Sequence, residues 1–158
     1  MKSTDSNRHG IKPGAKQISV RNLQRTFAVN VTALQEFGRR ALRLCSRLKS
    51  QKRNGGRFPD EIVVLLISER RMAALHRRFL NKPGSTDVIT FQHGEIFISV
   101  STARQHARQF GTSTAREMQL YIVHGLLHLL GYDDQTSGQR ERMRAAETTV
   151  IRRTMGLK

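Results

Sequence analysis

In some segments of the chain apolar residues are continuous or alternate with polar ones, as in strands, and in others they recur every three to four residues, as in helices. The run EIVVLLIS (61–68) is continuously apolar and rich in β-branched residues, which is typical of a central strand. In QISVRNL (17–23) apolar and polar residues alternate, which predicts a half-buried strand. DVITFQ (87–92) and EIFISV (95–100) predict two further strands that are joined by a tight turn.

The remaining segments carry apolar residues at helical spacing. The predicted helices are 32–48, 70–80, 101–110, 113–131 and 137–156. The fourth is expected to open with a capping box from Thr114 to Glu117 and to stop at Gly131. This order of elements predicts a small mixed β-sheet covered by helices, an α+β fold or an α/β sandwich. We expect one domain over 17–158, preceded by a flexible polar tail over 1–16.

The chain carries a large excess of positive charge. Its 28 Lys and Arg residues stand against 12 Asp and Glu residues, a formal net charge of +16. Polyanions are therefore the expected partners, with nucleic acid ahead of anionic membranes, and a merely basic surface is the alternative. The single cysteine, Cys45, allows no internal disulfide and favours a reducing cytoplasm. We see no membrane span and no signal peptide, so we expect a cytoplasmic protein.

Two histidines stand four residues apart in the apolar stretch HGLLHLLGYDD. Residues at this spacing share one face of a helix, so His124 and His128 can bind one ion, as in the zincin-like helix of zinc enzymes. A left-handed residue at Gly131 would reverse the chain and bring Asp133 or Asp134 to the histidines. Three such ligands leave one zinc position open for water. The alternative is two core histidines, each hydrogen-bonded to a backbone carbonyl.

The same stretch resembles the signature H-G-x-L-H-L-x-G-Y-D-H of the YbeY family of metal-dependent endoribonucleases, which act in ribosomal RNA maturation. TDVITF (86–91) is similar to the family's T-D-V-[IL]-[ST]-F, and GEIFIS (94–99) is similar to its G-[DE]-I-x-I-[SC]. Met143, Glu147 and Ile151 follow its M-x-x-x-E-x-x-I pattern. The matches keep the family's order along the chain.

The resemblance implies the fold of that family and its activity. It implies a single-strand-specific, metal-dependent endoribonuclease domain over 17–158 that acts in rRNA processing, with ribosomal RNA or a ribosomal subunit as partner. It also implies one Zn²⁺ ion per chain. The metal-binding and catalytic residues would be His124, His128 and Asp134.

Two positions depart from the pattern of the family. Asp134 stands where the family usually has a third histidine. A carboxylate is an acceptable zinc ligand, but its charge should make a bound water less acidic, and Asp133 is a rival for the same place. Leu80 stands where many members carry an arginine that is thought to face the site, and Arg77 and Arg78 lie close by.

The residues around the first histidine bear on the reaction. Helical zinc proteases place a glutamate directly after it as general base, whereas this chain has Gly125. A metal-activated water that attacks an RNA phosphate suits the basic chain better. An RNA-binding or ribosome-binding assembly factor with structural zinc is the second hypothesis, and a metalloprotease is a distant third.

We expect arginines of 70–82 and 101–110 to form a groove to the metal. We also expect His106 to face solvent or RNA, and His93 is the other histidine to test near a substrate.

Overall fold

The computed structural model describes residues 16–157, and these form four strands and five helices. The strands are β1 (Gln17–Asn22), β2 (Glu61–Ile67), β3 (Val88–Phe91) and β4 (Glu95–Ser99). They pair in the order β1-β2-β4-β3, where β1, β2 and β4 run parallel and β3 is antiparallel to β4. The predicted mixed sheet is confirmed, and the apolar β2 is an interior strand.

All five predicted helices are present, with their ends shifted by a few residues. They are α1 (Val31–Cys45), α2 (Glu69–Leu80), α3 (Val100–Phe110), α4 (Thr114–Leu129) and α5 (Ser137–Thr154). Helices α1, α3 and α5 pack around α4, and the larger hydrophobic cluster joins them to one face of the sheet. A smaller cluster around Met72 of α2 covers the other face. This arrangement confirms the predicted α+β fold.

Helix α4 is the centre of the larger cluster, and nine of its 16 residues are buried. Its closest approach to the sheet is at Gly125. A Cβ atom there would lie 2.8 Å from Cδ1 and Cγ2 of Ile96 in β4, closer than real carbon atoms pack. The missing side chain therefore sets the distance between α4 and β4, and with it the position of the histidines on either side of the glycine.

The helix ends show where sequence patterns misplace a boundary. The predicted capping box from Thr114 to Glu117 is wrong, because the cap of α4 is Ser113, whose side chain accepts from the backbone N–H of Arg116. Glu117 instead accepts a 2.5 Å hydrogen bond from the hydroxyl of Thr112. The predicted stop is confirmed, since Gly131 follows the helix with a φ of 88°.

The predicted tail falls almost entirely outside the described residues, which exclude 1–15. Lys16, its last residue, is described, and its Nζ lies 2.6 Å from a carboxylate oxygen of Asp60. Within residues 16–157 no helix has both the length and the apolar character that a membrane crossing requires.

Replacing Gly125 with alanine should destabilise the protein by about 1–3 kcal/mol, because the new methyl group would overpack the contact with Ile96. Gly138→Ala is the matched control, since its nearest atom would be 3.8 Å away at the end of the flexible Arg142 side chain. Chemical denaturation of both variants measures the difference. Equal stability of the two variants would contradict the close approach of α4 to β4.

Candidate metal centre

The two histidines are the only residues of α4 between Tyr121 and Leu129 that are not fully buried. Both are partly buried, and their rings meet edge to face with centroids 4.6 Å apart. The Nε2 atom of His124 lies 3.0 Å from the Nε2 atom of His128. The spacing of four residues therefore points two imidazole nitrogens at one place, as the sequence predicted.

The chain reversal after α4 brings the third side chain to this place. Leu130 ends the helix, Gly131 takes the left-handed conformation, and the N–H of Tyr132 donates back to Leu127 O at 3.1 Å. A carboxylate oxygen of Asp134 then lies 3.8 Å from Nε2 of His124. Ligand atoms of the two histidines and Asp134 all lie within 4.8 Å of one another.

The donor set fits a transition metal such as zinc. Zinc bonds of about 2.0–2.2 Å at tetrahedral angles separate two ligand atoms by about 3.3–3.6 Å. The observed separations of 3.0 and 3.8 Å straddle that value. Asp133, the rival third ligand, is outside the group, and its Oδ1 instead accepts the backbone N–H of Asp134 at 2.8 Å.

The other ring nitrogen of each histidine is held by a hydrogen bond. Nδ1 of His124 lies 2.5 Å from a carboxylate oxygen of Glu147, and Nδ1 of His128 lies 3.0 Å from the backbone oxygen of Tyr132. Both partners are acceptors, so we assign Nδ1 as the donor and leave the Nε2 lone pair for a metal. Such outer partners orient a ligating ring and raise its basicity.

The sequence interpretation did not identify the role of Glu147. Its side chain is only 13% exposed, although it belongs to a charged helix. It lies one turn after Met143 and one turn before Ile151, two buried residues of α5. A carboxylate on the apolar stripe of an amphipathic helix is the signal that predicts a buried partner.

The local charges separate the pKa values of the two histidines. Burial disfavours the charged form of His124, but the hydrogen bond and charge of Glu147, with smaller contributions from Asp87 and Asp134, outweigh it and raise its pKa. Burial and the neighbouring His124 lower the pKa of His128. A metal ion at Nε2 competes with a proton for the same lone pair.

An arginine of α5 holds the loop that carries Asp134. Nη1 of Arg140 donates to the backbone oxygens of Asp134 at 3.1 Å and of Gln135 at 3.2 Å. Arg140 is fixed in turn by the start of α5, where Thr136 and Gln139 form a full capping box. The sequence interpretation missed this contact, because a side chain that binds backbone atoms leaves no residue pattern.

Two adjoining depressions share His124 and Asp134 in their linings. The α5 depression, of about 220 Å³, is lined by Asp87, Tyr121, Arg140, Arg144 and Glu147 together with His124 and Asp134. The β3 depression, of about 270 Å³, is lined by Leu80, Thr90, Gln92 and Asp133 together with the three ligands. The basic side chains in these linings come from α5, and no arginine of 70–82 or 101–110 is among the lining residues.

The other histidines among the described residues, and the cysteine, lie outside the site. His106 does not belong to a solvated or RNA-facing stripe as expected, because it is half-buried between α3 and α4 and its Nδ1 lies 2.7 Å from the hydroxyl of Tyr121. His93 stacks on Phe91 and pairs with Glu95 at 2.9 Å. Burial raises the pKa of the Cys45 thiol to about 12, as suits a core residue.

The fold and the site define a class of protein: an α+β domain whose central helix presents two histidines, completed by a carboxylate from the following turn, to one metal position. The sequence model described as Endoribonuclease YbeY matches residues 19–155. The chain therefore belongs to the Endoribonuclease YbeY family, and the resemblance seen in the motifs is confirmed.

Individual relatives agree with this assignment, and one solved structure shares the fold. The Endoribonuclease YbeY of an Anaeromyxobacter species is 36% identical over 122 residues, which are 71% of this chain and 64% of that protein. The Endoribonuclease YbeY of Phocaeicola vulgatus is 36% identical over 103 residues, 61% of this chain and 75% of that protein. A Thermotoga maritima protein solved in solution has the same fold, with a TM-score of 0.60 at 22% identity over 89% of this chain and 90% of that chain.

Asp134→Asn should weaken zinc binding much more than Asp133→Asn, because only Asp134 places a carboxylate oxygen beside the histidines. A loss of about 10-fold or more in affinity is expected for the first variant, since an amide oxygen is a poor substitute for a charged ligand. Competition with a chelating dye measures both affinities. The reverse order of the two variants would show that the turn after Gly131 is in a different register.

Glu147→Gln should lower zinc affinity by about 10–100-fold, the usual effect of removing the partner that orients a ligating histidine. Glu141→Gln, at an exposed position of the same helix, removes the same charge and should leave the affinity unchanged. The same dye competition serves for both. If the two variants bound zinc equally, the hydrogen bond to His124 would have no part in metal binding.

Proposed function

We propose that this chain is a zinc-dependent endoribonuclease that hydrolyses phosphodiester bonds in unpaired segments of ribosomal RNA, in the cytoplasm, during ribosome maturation. The observation that carries the proposal is the set of three ligands in an open depression, two of which also line a second one, in a member of an endoribonuclease family. Three protein ligands leave a coordination place free, which is typical of catalytic rather than structural zinc.

Residues of the chain would orient the ion and the RNA around this place. Glu147 and the backbone oxygen of Tyr132 hold the two imidazoles with Nε2 toward the metal position. Arg140 holds the Asp134 loop, and Arg144 lines the same depression with an exposed side chain that can bind a phosphate. A zinc ion bound there would supply Lewis acidity at the phosphate and a lowered pKa for water.

The shape of the site favours an unpaired strand. Both depressions are smaller than the 300–1,000 Å³ pockets that enclose drug-sized ligands. They are therefore too small for a duplex, and only a flexible backbone can bend one phosphate down to a recessed ion. Unpaired regions of ribosomal RNA, alone or in a ribosomal subunit, are accordingly the proposed substrate and partner.

A second function is favoured by one specific observation. Leu80, at the position where many family members carry an arginine, lines the β3 depression beside both histidines. An apolar side chain there offers a phosphate no charge, and the Asp134 carboxylate lowers the charge of the site further. An RNA-binding assembly factor with structural zinc is therefore the alternative function.

His124→Ala should reduce RNA cleavage by at least about 100-fold and change RNA affinity by less than about twofold, because rate depends on the ion and affinity on the basic surface. His76→Ala is the matched control, since His76 lies on α2 and its Nδ1 faces Gly84 O at 3.0 Å. Zinc-loaded proteins are compared on an unpaired RNA after removal of contaminating nucleases.

Structural zinc predicts a different outcome for the same variant. Thermal stability and RNA binding would then fall together, because the turn from Gly131 to Asp134 would lose its anchor. Wild-type protein that cleaves no faster than His124→Ala would contradict the enzymatic proposal and support the assembly factor.

A further inference from the structure

A row of arginines on α1 and the turn that follows it forms a basic surface away from the metal centre. Arg39, Arg43 and Arg47 follow one another at intervals of four residues and line a groove of about 770 Å³ between α1 and β1, together with Lys16. The other residues of this groove are Gln17, Ile18, Leu42 and Ser46, so its described lining has four cationic side chains and no acidic one. We call Arg39, Arg43 and Arg47 the α1 strip.

The charge of the α1 strip is hardly neutralised by the described part of the chain. Arg43 and Arg47 make no ion pair there, and Arg39 has only a long contact of 4.0 Å with Glu36. Like charges four residues apart on a helix repel each other, so the row works against the stability of α1. An external polyanion that binds the strip would remove this repulsion.

The basic surface continues toward the metal centre through the loop after α1. Lys49, Lys52 and Arg53 belong to this loop. Its backbone is fixed to the end of α4, where the N–H of Gln51 donates to Leu130 O at 2.8 Å. A Cβ atom on Gly131 would lie 2.7 Å from the backbone nitrogen of Lys52, so the loop packs directly on the turn that leads to Asp134.

We propose that the α1 strip binds the backbone of a double-stranded RNA segment next to the unpaired segment that enters the metal site. This inference rests on the proposed function and adds the form of the substrate: a stem with an unpaired flank. Arg39 and Arg43 lie about 6 Å apart along α1, and Arg47 follows in the turn after the helix, so the strip offers its guanidinium groups to successive phosphates.

The composition of the groove favours paired over unpaired RNA. Proteins that bind single strands stack bases on aromatic side chains, and the described lining of this groove contains none. Duplex RNA is recognised mainly through its shape and its phosphates, which arginines alone can contact. An acidic protein surface is the competing occupant, and the experiment below distinguishes the two.

The groove of the α1 strip and the metal site are separated by the width of the sheet, so one RNA can reach both. The groove lies along β1 and the metal site beside β3, which are the opposite edges of the sheet. Three strand spacings of about 4.8 Å separate β1 from β3 by about 14 Å across the sheet. One RNA can therefore place its stem on the strip and its flank at the metal without a conformational change in the protein.

The test compares two RNAs and two variants of the full chain. The RNAs are a stem-loop with an unpaired flank and the flank alone. The strip variant is Arg39→Gln/Arg43→Gln/Arg47→Gln. The control, Arg21→Gln/Arg25→Gln/Arg108→Gln, removes the same charge from three exposed arginines outside the groove. Circular dichroism checks that both variants are folded, and affinities are measured over a range of salt concentrations.

The strip variant should bind the stem-loop at least about 10-fold more weakly, with a salt slope lower by two to three, since each lost phosphate contact changes the slope by about 0.9. Its affinity for the flank alone, and its cleavage of that flank, should stay within about twofold of wild type. In the control variant the affinity for the stem-loop should not fall more than the affinity for the flank alone.

Several results would overturn the inference. The first is a strip variant whose affinity for the stem-loop is unchanged, or falls no more than its affinity for the flank alone. The second is a control variant that loses as much affinity for the stem-loop as the strip variant does. The third is a strip variant that loses as much affinity for polyglutamate as for the stem-loop, which would indicate an acidic protein partner. Wild-type protein that cuts no RNA, yet binds the stem-loop through the strip, would instead refute the proposed function and leave the strip as a duplex-binding surface.

Discussion

The close packing of α4 on β4 is the constraint on which the rest of the structure depends. Gly125 lets the helix approach until only hydrogen fits against Ile96, and α1, α3 and α5 then pack around it. Helix α4 is thereby held rigidly between its neighbours. The two histidines are thereby placed with their Nε2 atoms 3.0 Å apart. A preformed site costs little reorganisation when a metal binds.

Around this helix, α5 supplies the groups that adjust the site. Its buried carboxylate, Glu147, fixes the ring of His124 and raises its pKa, while Arg140 near its first turn binds the loop that presents Asp134. The same helix therefore orients one ligand and positions another. The loop after α1 packs on Leu130 and Gly131. The segment from Gly131 to Asp134 therefore lies between this loop and α5, and both of these elements carry arginines.

The sequence predicted those features that depend on local spacing. The apolar run of β2, the histidine pair on α4 and the left-handed Gly131 all follow from periodicity or backbone conformation, and the family motifs added the fold. Features that depend on tertiary neighbours were not predicted. Ser113 rather than Thr114 caps α4 because two candidate hydroxyls are adjacent, and His106 is half-buried because Tyr121 of α4 lies opposite. The apolar neighbours of Glu147 indicate a buried partner without identifying it, and the role of Arg140 depends on the packing of α5 against α4, which no local pattern encodes.

The position of a bound metal tests the central claim most directly. Crystals of the zinc-loaded protein, measured at the zinc absorption edge, should show one anomalous peak per chain about 2.0–2.2 Å from Nε2 of His124, Nε2 of His128 and a carboxylate oxygen of Asp134, with no fourth protein ligand. A peak bound through Asp133, a site closed by a fourth side chain, or a peak elsewhere on the molecule would contradict this account.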